Sequence, residues 1–264
     1  MHSNRTILWF RNDLRLSDNP ALSSAVRTGT ILPVFVHDET HAGDLKLGSA
    51  SRVWLHHSLQ SLNKSLDGHL VVLSGDPLEL IPQLVARYNI TQVCWNRQYE
   101  PWAIKRDTEL KTLLKESGVM VDSHNGSLLW EPWDIHKADK TPYRVFTPFF
   151  RKGCLNAPEP RKPLSKPLKM SILEHQEPTS VDSLNLMPSI PWCEPLLGHW
   201  EIGEAGAKKR LNKFIVSGIK KYKEGRNFPA ETHVSSLSPH LHFGELSPNQ
   251  AWHEARNRPM DENV

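Results

Sequence analysis

Five short apolar runs punctuate the first half of the chain, at 6–10, 30–36, 70–75, 91–96 and 119–123. Each is continuous rather than alternating, the pattern of a strand buried on both faces. Helical spacing fills the gaps between them. A short helix is predicted at 20–27. A longer one at 49–66 repeats apolar groups at Leu55, Leu59, Leu62 and Leu66. Asp76-Pro77 opens a third at 77–89, an N-cap followed by a first-turn proline. A fourth, at 101–117, stops at Gly118. Alternating β and α units with buried strands predict a doubly wound, Rossmann-like α/β domain. Its five-stranded parallel sheet is expected in the order 3-2-1-4-5, over about residues 1–130.

The pattern then changes. Residues 158–195 hold 8 of the 20 prolines without sustained periodicity, so 131–200 reads as an extended interdomain linker. Ahead of the prolines, Tyr143 to Phe150 reads as a packed aromatic turn. From 203 to 225 a helical stripe returns through Leu211, Phe214, Ile215, Gly218, Ile219 and Tyr222, with lysines on the other face. Tyr222 lies on that stripe, so its hydroxyl is expected to face inward and to need a partner. Ser247-Pro248 begins a last helix to about residue 256. Residues 201–264 are thus the truncated start of an all-helical domain, too small to close a core and expected to be poorly packed without a partner.

Composition narrows the class. No run of about 18 apolar residues exists, so no membrane span is predicted, and the start lacks the layout of a secretory signal. Three widely spaced cysteines fit a reducing, cytoplasmic setting rather than a disulfide framework. The net charge of +3 is unevenly spread: 9 basic against 2 acidic groups over 137–170, and 8 against 1 over 205–226. Two basic stretches suit a polyanionic partner. The glycine-rich dinucleotide and triphosphate loops are absent. His56-His57 and His240-x-His242 lack further ligands at metal spacing, so no metal site is expected. Around Ser235, Ser236 and Ser238, hydroxyls precede a proline and a helix start. That arrangement suits either phosphate binding or a plain N-cap at Ser238.

Several segments resemble the DNA photolyase/cryptochrome family in that family's order. They are residues 8–22 (LWFRNDLRLSDNPAL), Gln98-Tyr-Glu-Pro-Trp102, Phe146-Thr-Pro-Phe149, Tyr222-Lys-Glu-Gly-Arg226 and the SLSPHLHFGE string at 236–245. The likeness spans essentially the whole chain and looks nearest to the class I bacterial photolyases. It implies an antenna-binding α/β domain, a linker and a helical domain holding FAD. In such enzymes light-excited reduced flavin donates an electron to a pyrimidine dimer flipped out of DNA. DNA containing pyrimidine dimers is the partner so implied. A cryptochrome-type light sensor, or an antenna-domain remnant without catalysis, is the alternative.

Carried over residue by residue, the resemblance places Tyr222, Val234, Ser235, Ser236, Leu237 and Ser238 at the FAD phosphates. Arg226 falls near the flavin and the DNA-facing surface. Val234 stands where the family usually has Thr, which removes one hydroxyl. No catalytic residue falls within this chain. For a second, antenna chromophore the candidates at the strand ends are His37, Asp38, Arg52, Glu100 and Trp102. Trp102-Ala103 replaces the Asn-Glu pair of folate-binding members, which points away from folate and leaves a deazaflavin, a flavin or no antenna. The resemblance implies that family members continue for about as long again. The chain is therefore expected to be inactive alone, as a monomer or completed by a separate polypeptide.

Overall fold

The structure, a computed structural model, describes residues 4–228 and 230–257. Five strands form one parallel sheet: β1 (Asn4–Phe10), β2 (Gly29–His37), β3 (Val71–Ser74), β4 (Gln92–Asn96) and β5 (Met120–His124), in the order β3-β2-β1-β4-β5. Trp9 of β1 stands level with Val34 of β2 and Trp95 of β4, so the centre of the sheet is its most apolar part. The crossover helices are α1 (Pro20–Thr28), α2 (Ser49–Ser65), α3 (Pro77–Tyr88) and α4 (Pro101–Glu116). Local chemistry starts them as predicted. The Asn19 side chain accepts from Leu22 N and that of Asp76 from Leu78 N, and each is followed by proline.

Because successive strand residues face opposite ways, the continuous apolar runs build two cores. One lies between the sheet and α1 and α2, through Leu8, Phe10, Ile31, Phe35, Leu22, Leu55 and Leu59. The other lies under α3 and α4, through Ile7, Trp9, Val34, Trp95, Ile81 and Leu110.

The proline-rich stretch is extended, as expected, but it is not a free connector. Ile31 N donates to Ser171 O and Leu173 N to Ile31 O, a parallel bridge beside β2. Val72 N donates to Pro178 O, and Asn63 Nδ2 to Thr179 O. Val181, Leu184 and Leu186 then enter the α1–α2 core.

The expected helix at 203–225 is not one regular helix. It begins as α5 (Glu204–Lys213), widens to i→i+5 bonding over Phe214–Gly218, tightens over Ile219–Lys221 and ends in a single turn, Tyr222–Gly225. The widened turn shifts the phase of everything after it, so the stripe does not reach Tyr222. Tyr222 is 41% exposed and its hydroxyl has no partner among the described residues. The aromatic turn likewise packs mainly on itself: Phe146 and Phe150 stack at 5.8 Å while Phe146 stays 72% exposed.

The helical part is docked rather than loose, against expectation. Besides α5 it holds α6 (Ser238–His242) and α7 (Pro248–Arg256). Leu237, Leu246, Ala207 and Leu211 form a small core of their own. Phe243 stacks on Trp54 of α2 at 6.2 Å. The rest of the attachment is polar and buried, and residues 13–18 supply it. Leu14 N donates to Phe243 O, and the buried Arg15 guanidinium to Gly244 O at 2.8 Å and Gly126 O at 2.5 Å. Leu16 N and Ser17 N donate to Glu204. Asp18 accepts from Leu164 N, Arg161 and the Ser247 hydroxyl.

Candidate cofactor-binding sites

In open parallel sheets the loops leaving the carboxyl ends of the strands surround a crevice where the strand order reverses. Here β1, β2 and β4 end there, and the residues after them wall a cleft of about 290 Å³. Trp9, Phe35, Leu55 and Phe243 give it an apolar floor, and Trp102 and Glu100 stand on the α4 side. His37, Asp38, Glu100 and Trp102 are thus brought together, as four of the five antenna candidates require. Arg52 is not on the wall. Its guanidinium is held by Glu39 at 2.7 Å and by Asn185 O at 3.0 Å, which is why a cation is tolerated at the start of α2.

Charge beneath the cleft is fully engaged. Arg106 bonds Asp38 at 3.0 Å, Asp107 at 2.7 Å and Gln98 at 2.9 Å, and its plane lies over Trp9 and Trp102. Arg11 pairs with Asp107 at 2.5 Å. Burial lowers the pKa of Arg11, and the Asp107 charge works against it. Burial tends to raise the Asp38 carboxyl, but the His41 amide and Arg106 outweigh that, so it sits below its ordinary range. Burial lowers His37, leaving a neutral imidazole on the wall. The sequence gave no direct sign of Arg106 and Asp107; their spacing on α4 is that of any charged helix face.

Beside this cleft lies a more polar hollow of about 380 Å³, lined by Asp13, Arg97, Tyr99 and Ser127 among others. Asn12, Gln98, Glu100 and His242 line both. His242 ends α6, so the helical part contributes a wall to a site otherwise built by the α/β part.

The phosphate-site candidates occupy the other end of α6. Gly225 lies so close to His233 that a Cβ there would run into its side chain, and this brings the Tyr222–Gly225 turn against the segment that follows His233. Arg226 lies over the Tyr222 ring at 5.9 Å. Ser236 and Ser238 are exposed and Ser235 half-buried, with no intramolecular partner for their hydroxyls among the described residues. Ser236 takes a left-handed backbone, φ 50°, which turns Leu237 into the small core and leaves its neighbours outward. Ser238 is not an N-cap: Leu237 occupies that position and no side chain caps the helix. Val234 is exposed. Three free hydroxyls, an arginine and a phenol on one open surface suit a phosphorylated cofactor.

One buried network went unnoticed in the sequence. Glu245, fully buried, accepts from His240 Nδ1 at 2.5 Å, Trp54 Nε1 at 3.1 Å and Gly203 N at 3.0 Å, and so joins α6, α2 and the start of α5. A third hollow, apolar and about 630 Å³, lies between the aromatic turn and α7 and is flanked by Trp130 and Trp252. Among the described residues no His, Cys, Asp or Glu group is placed to hold a metal ion.

Residues 6–167 match the model of the family described as DNA photolyase. The chain belongs to the DNA photolyase/cryptochrome family. It is 40% identical over 256 residues to the deoxyribodipyrimidine photo-lyase of Agrobacterium fabrum, covering 95% of this chain and 53% of that protein. It is 33% identical over 257 residues to Cryptochrome-1 of Arabidopsis thaliana, covering 95% of this chain and 38% of that one. The crystal structure of a bacterial class III photolyase from Agrobacterium tumefaciens superposes with a TM-score of 0.90 at 38% identity, over 97% of this chain and 54% of that chain. This corrects the expected affinity to class I. The chain spans about half the length of the relatives it matches, or less.

Proposed function

We propose that this chain carries the chromophore-binding part and the first flavin contacts of a light-driven photolyase acting on pyrimidine dimers in DNA. The packing of Gly225 on His233 supports this most directly, since it sets Tyr222 and Arg226 beside the hydroxyls of Ser235, Ser236 and Ser238. In this reading Arg226 supplies a charge-assisted contact and the serines supply donors to the FAD phosphates, with Leu237 contributing backbone. Reduced flavin, when bound and excited, supplies the electron that opens the dimer. The strand-end cleft holds an antenna chromophore between Trp102 and the apolar floor, with His37, Asp38 and Glu100 on its walls. Residues 1–130, 131–200 and 201–264 are assigned as antenna domain, linker and start of the flavin domain.

The candidate phosphate surface is open, and an open, water-screened surface binds a flavin weakly. The chain by itself is therefore assigned no repair activity, and a partner polypeptide carrying the family's remaining helices is assigned the completion of the pocket. The test is to assay dimer-containing DNA under blue light with the chain and excess FAD, first alone and then with such a polypeptide. Light-dependent repair only in the mixture supports the reading; repair by the chain alone overturns the need for a partner. The likeness to Cryptochrome-1 favours a second reading, a light sensor. Flavin photoreduction in the mixture without dimer repair would support that one.

A further inference from the structure

The cleft and its polar neighbour share four residues, Asn12, Gln98, Glu100 and His242, and so open onto each other at the carboxyl edge of the sheet. Their chemistries differ. The 290 Å³ cleft presents the faces and edges of Trp9, Phe35, Trp102 and Phe243 to a planar ring. The 380 Å³ hollow presents hydrogen-bonding groups and little apolar surface.

The charge of the polar hollow decides what a tail there must be. Its cation is Arg97, and that guanidinium is already committed to Ser123 O, Ser123 Oγ and Glu131. Against it stand Asp13, buried and bonded to Asn96 Nδ2 at 2.5 Å, and Glu100, exposed at the rim. In the adjoining cleft Arg11 and Arg106 are bound by carboxylates, and Lys46 lies exposed at the outer lip. An anionic tail entering the hollow meets two carboxylates and no unengaged arginine. Hydroxyls meet Gln98, whose carbonyl is given to Arg106 and whose amide N–H groups are left to donate, with Asn12, Ser127 and the Glu100 carboxylate around them.

We propose that the two hollows form one ligand site that takes a planar chromophore with a neutral, hydroxylated tail and discriminates against the same chromophore ending in a phosphate. The ring lies in the cleft, the polyol passes His242, and Glu100 repels a terminal phosphate. This rests on the reading of the cleft as a chromophore site and adds the chemical class of its occupant.

The probes are riboflavin and flavin mononucleotide, which differ by one phosphate. The 264-residue chain is titrated with each at neutral pH and low salt, following flavin fluorescence, and the Trp102→Ala variant identifies the component seated in the cleft. Riboflavin is expected to bind about tenfold tighter than the mononucleotide. The gap should narrow on adding salt, because its origin is coulombic. Glu100→Lys, a change at an exposed position, should bring the mononucleotide level with riboflavin or past it. Equal or tighter binding of the mononucleotide to the parent chain, still sensitive to Trp102→Ala, overturns the tail assignment and leaves the cleft reading standing. A gap that ignores both salt and Glu100→Lys also overturns it. Binding that survives Trp102→Ala and is lost in Trp252→Ala, or no binding of either flavin, overturns the tail assignment and the cleft reading together.

Discussion

Ser247 donates its hydroxyl to Asp18 across 229 positions of chain, with both side chains buried. The same Ser247 oxygen accepts from Gln250 N at 2.9 Å and caps α7, while Gln250 Oε1 accepts from Ser247 N. One hydroxyl therefore both starts a helix and fastens it to the α/β part. Asp18 sits at φ 50°, a left-handed conformation that its surroundings must hold in place. Asp18→Ala should lower stability by roughly 3 kcal/mol, because it leaves the Ser247 hydroxyl, Leu164 N and Arg161 without their acceptor. Ser247→Ala should cost about 1–2 kcal/mol, a cap and one bond. Urea midpoints of the two variants check the ranking; equal losses would mean that Asp18 acts through Ser247 alone.

Glu204 makes the second fastening acid-sensitive. Burial tends to raise its carboxyl, but the bonds from Lys208, Ser17 and Leu16 outweigh it, and its pKa lies below the ordinary value. A depressed carboxylate contributes stability that is complete above its unfolded pKa, about 4.3, and is lost as pH falls through the lower folded value. Glu204→Gln should therefore be less stable than the parent by roughly 1.5–3 kcal/mol near neutral pH. The two should converge as the medium is acidified below pH 4. Denaturation at a series of pH values reads this directly, and a gap that stays constant into acid would contradict it.

Gly244 has φ 66°, and a Cβ there would run into the carbonyl of Asn12. It also presents the oxygen that Arg15 binds. Gly244→Ala should cost at least about 2 kcal/mol, combining strain with separation of the loop from β1. Gly68 is the control: its φ is 85° but nothing lies near a Cβ, so Gly68→Ala should cost only about 1 kcal/mol. Similar losses at both sites, measured by thermal unfolding, would remove the close approach as a cause.

The open phosphate surface makes a prediction that separates binding from folding. Ser236→Ala and Ser238→Ala should leave stability within about 0.5 kcal/mol, since neither hydroxyl has an internal partner. Both should weaken FAD binding by the chain, measured by calorimetry. Arg226→Ala should weaken it more, by roughly tenfold or beyond, because its contact is charge-assisted. Unchanged FAD affinity in all three variants would falsify the assignment of the 222–238 surface to the cofactor phosphates.

How much of this was legible in the chain divides along the range of the forces involved. The strands, α1 to α4 and α7 follow from continuous apolar runs and cap residues, and both act between near neighbours: Asn19 on Leu22, Asp76 on Leu78, Ser247 on Gln250. The cleft's location follows from the sheet order, because strand ends and the reversal between β1 and β4 fix where loops gather. What Arg15, Asp18 and Glu204 do was not legible. Arg15 and Asp18 looked like part of a family signature, yet their partners lie up to 229 positions away. Arg52 looked free to serve a ligand until Glu39 and Asn185 came into reach. The inward Tyr222 failed for a different reason. A stripe read at 3.6 residues per turn assumes an unbroken helix, and the five-residue widening at Phe214–Gly218 rotates the next turn away from it. Periodicity and capping are properties of contiguous residues, so the sequence alone determined the elements. Which polar groups are buried together depends on which segments meet, and only the tertiary structure decided that.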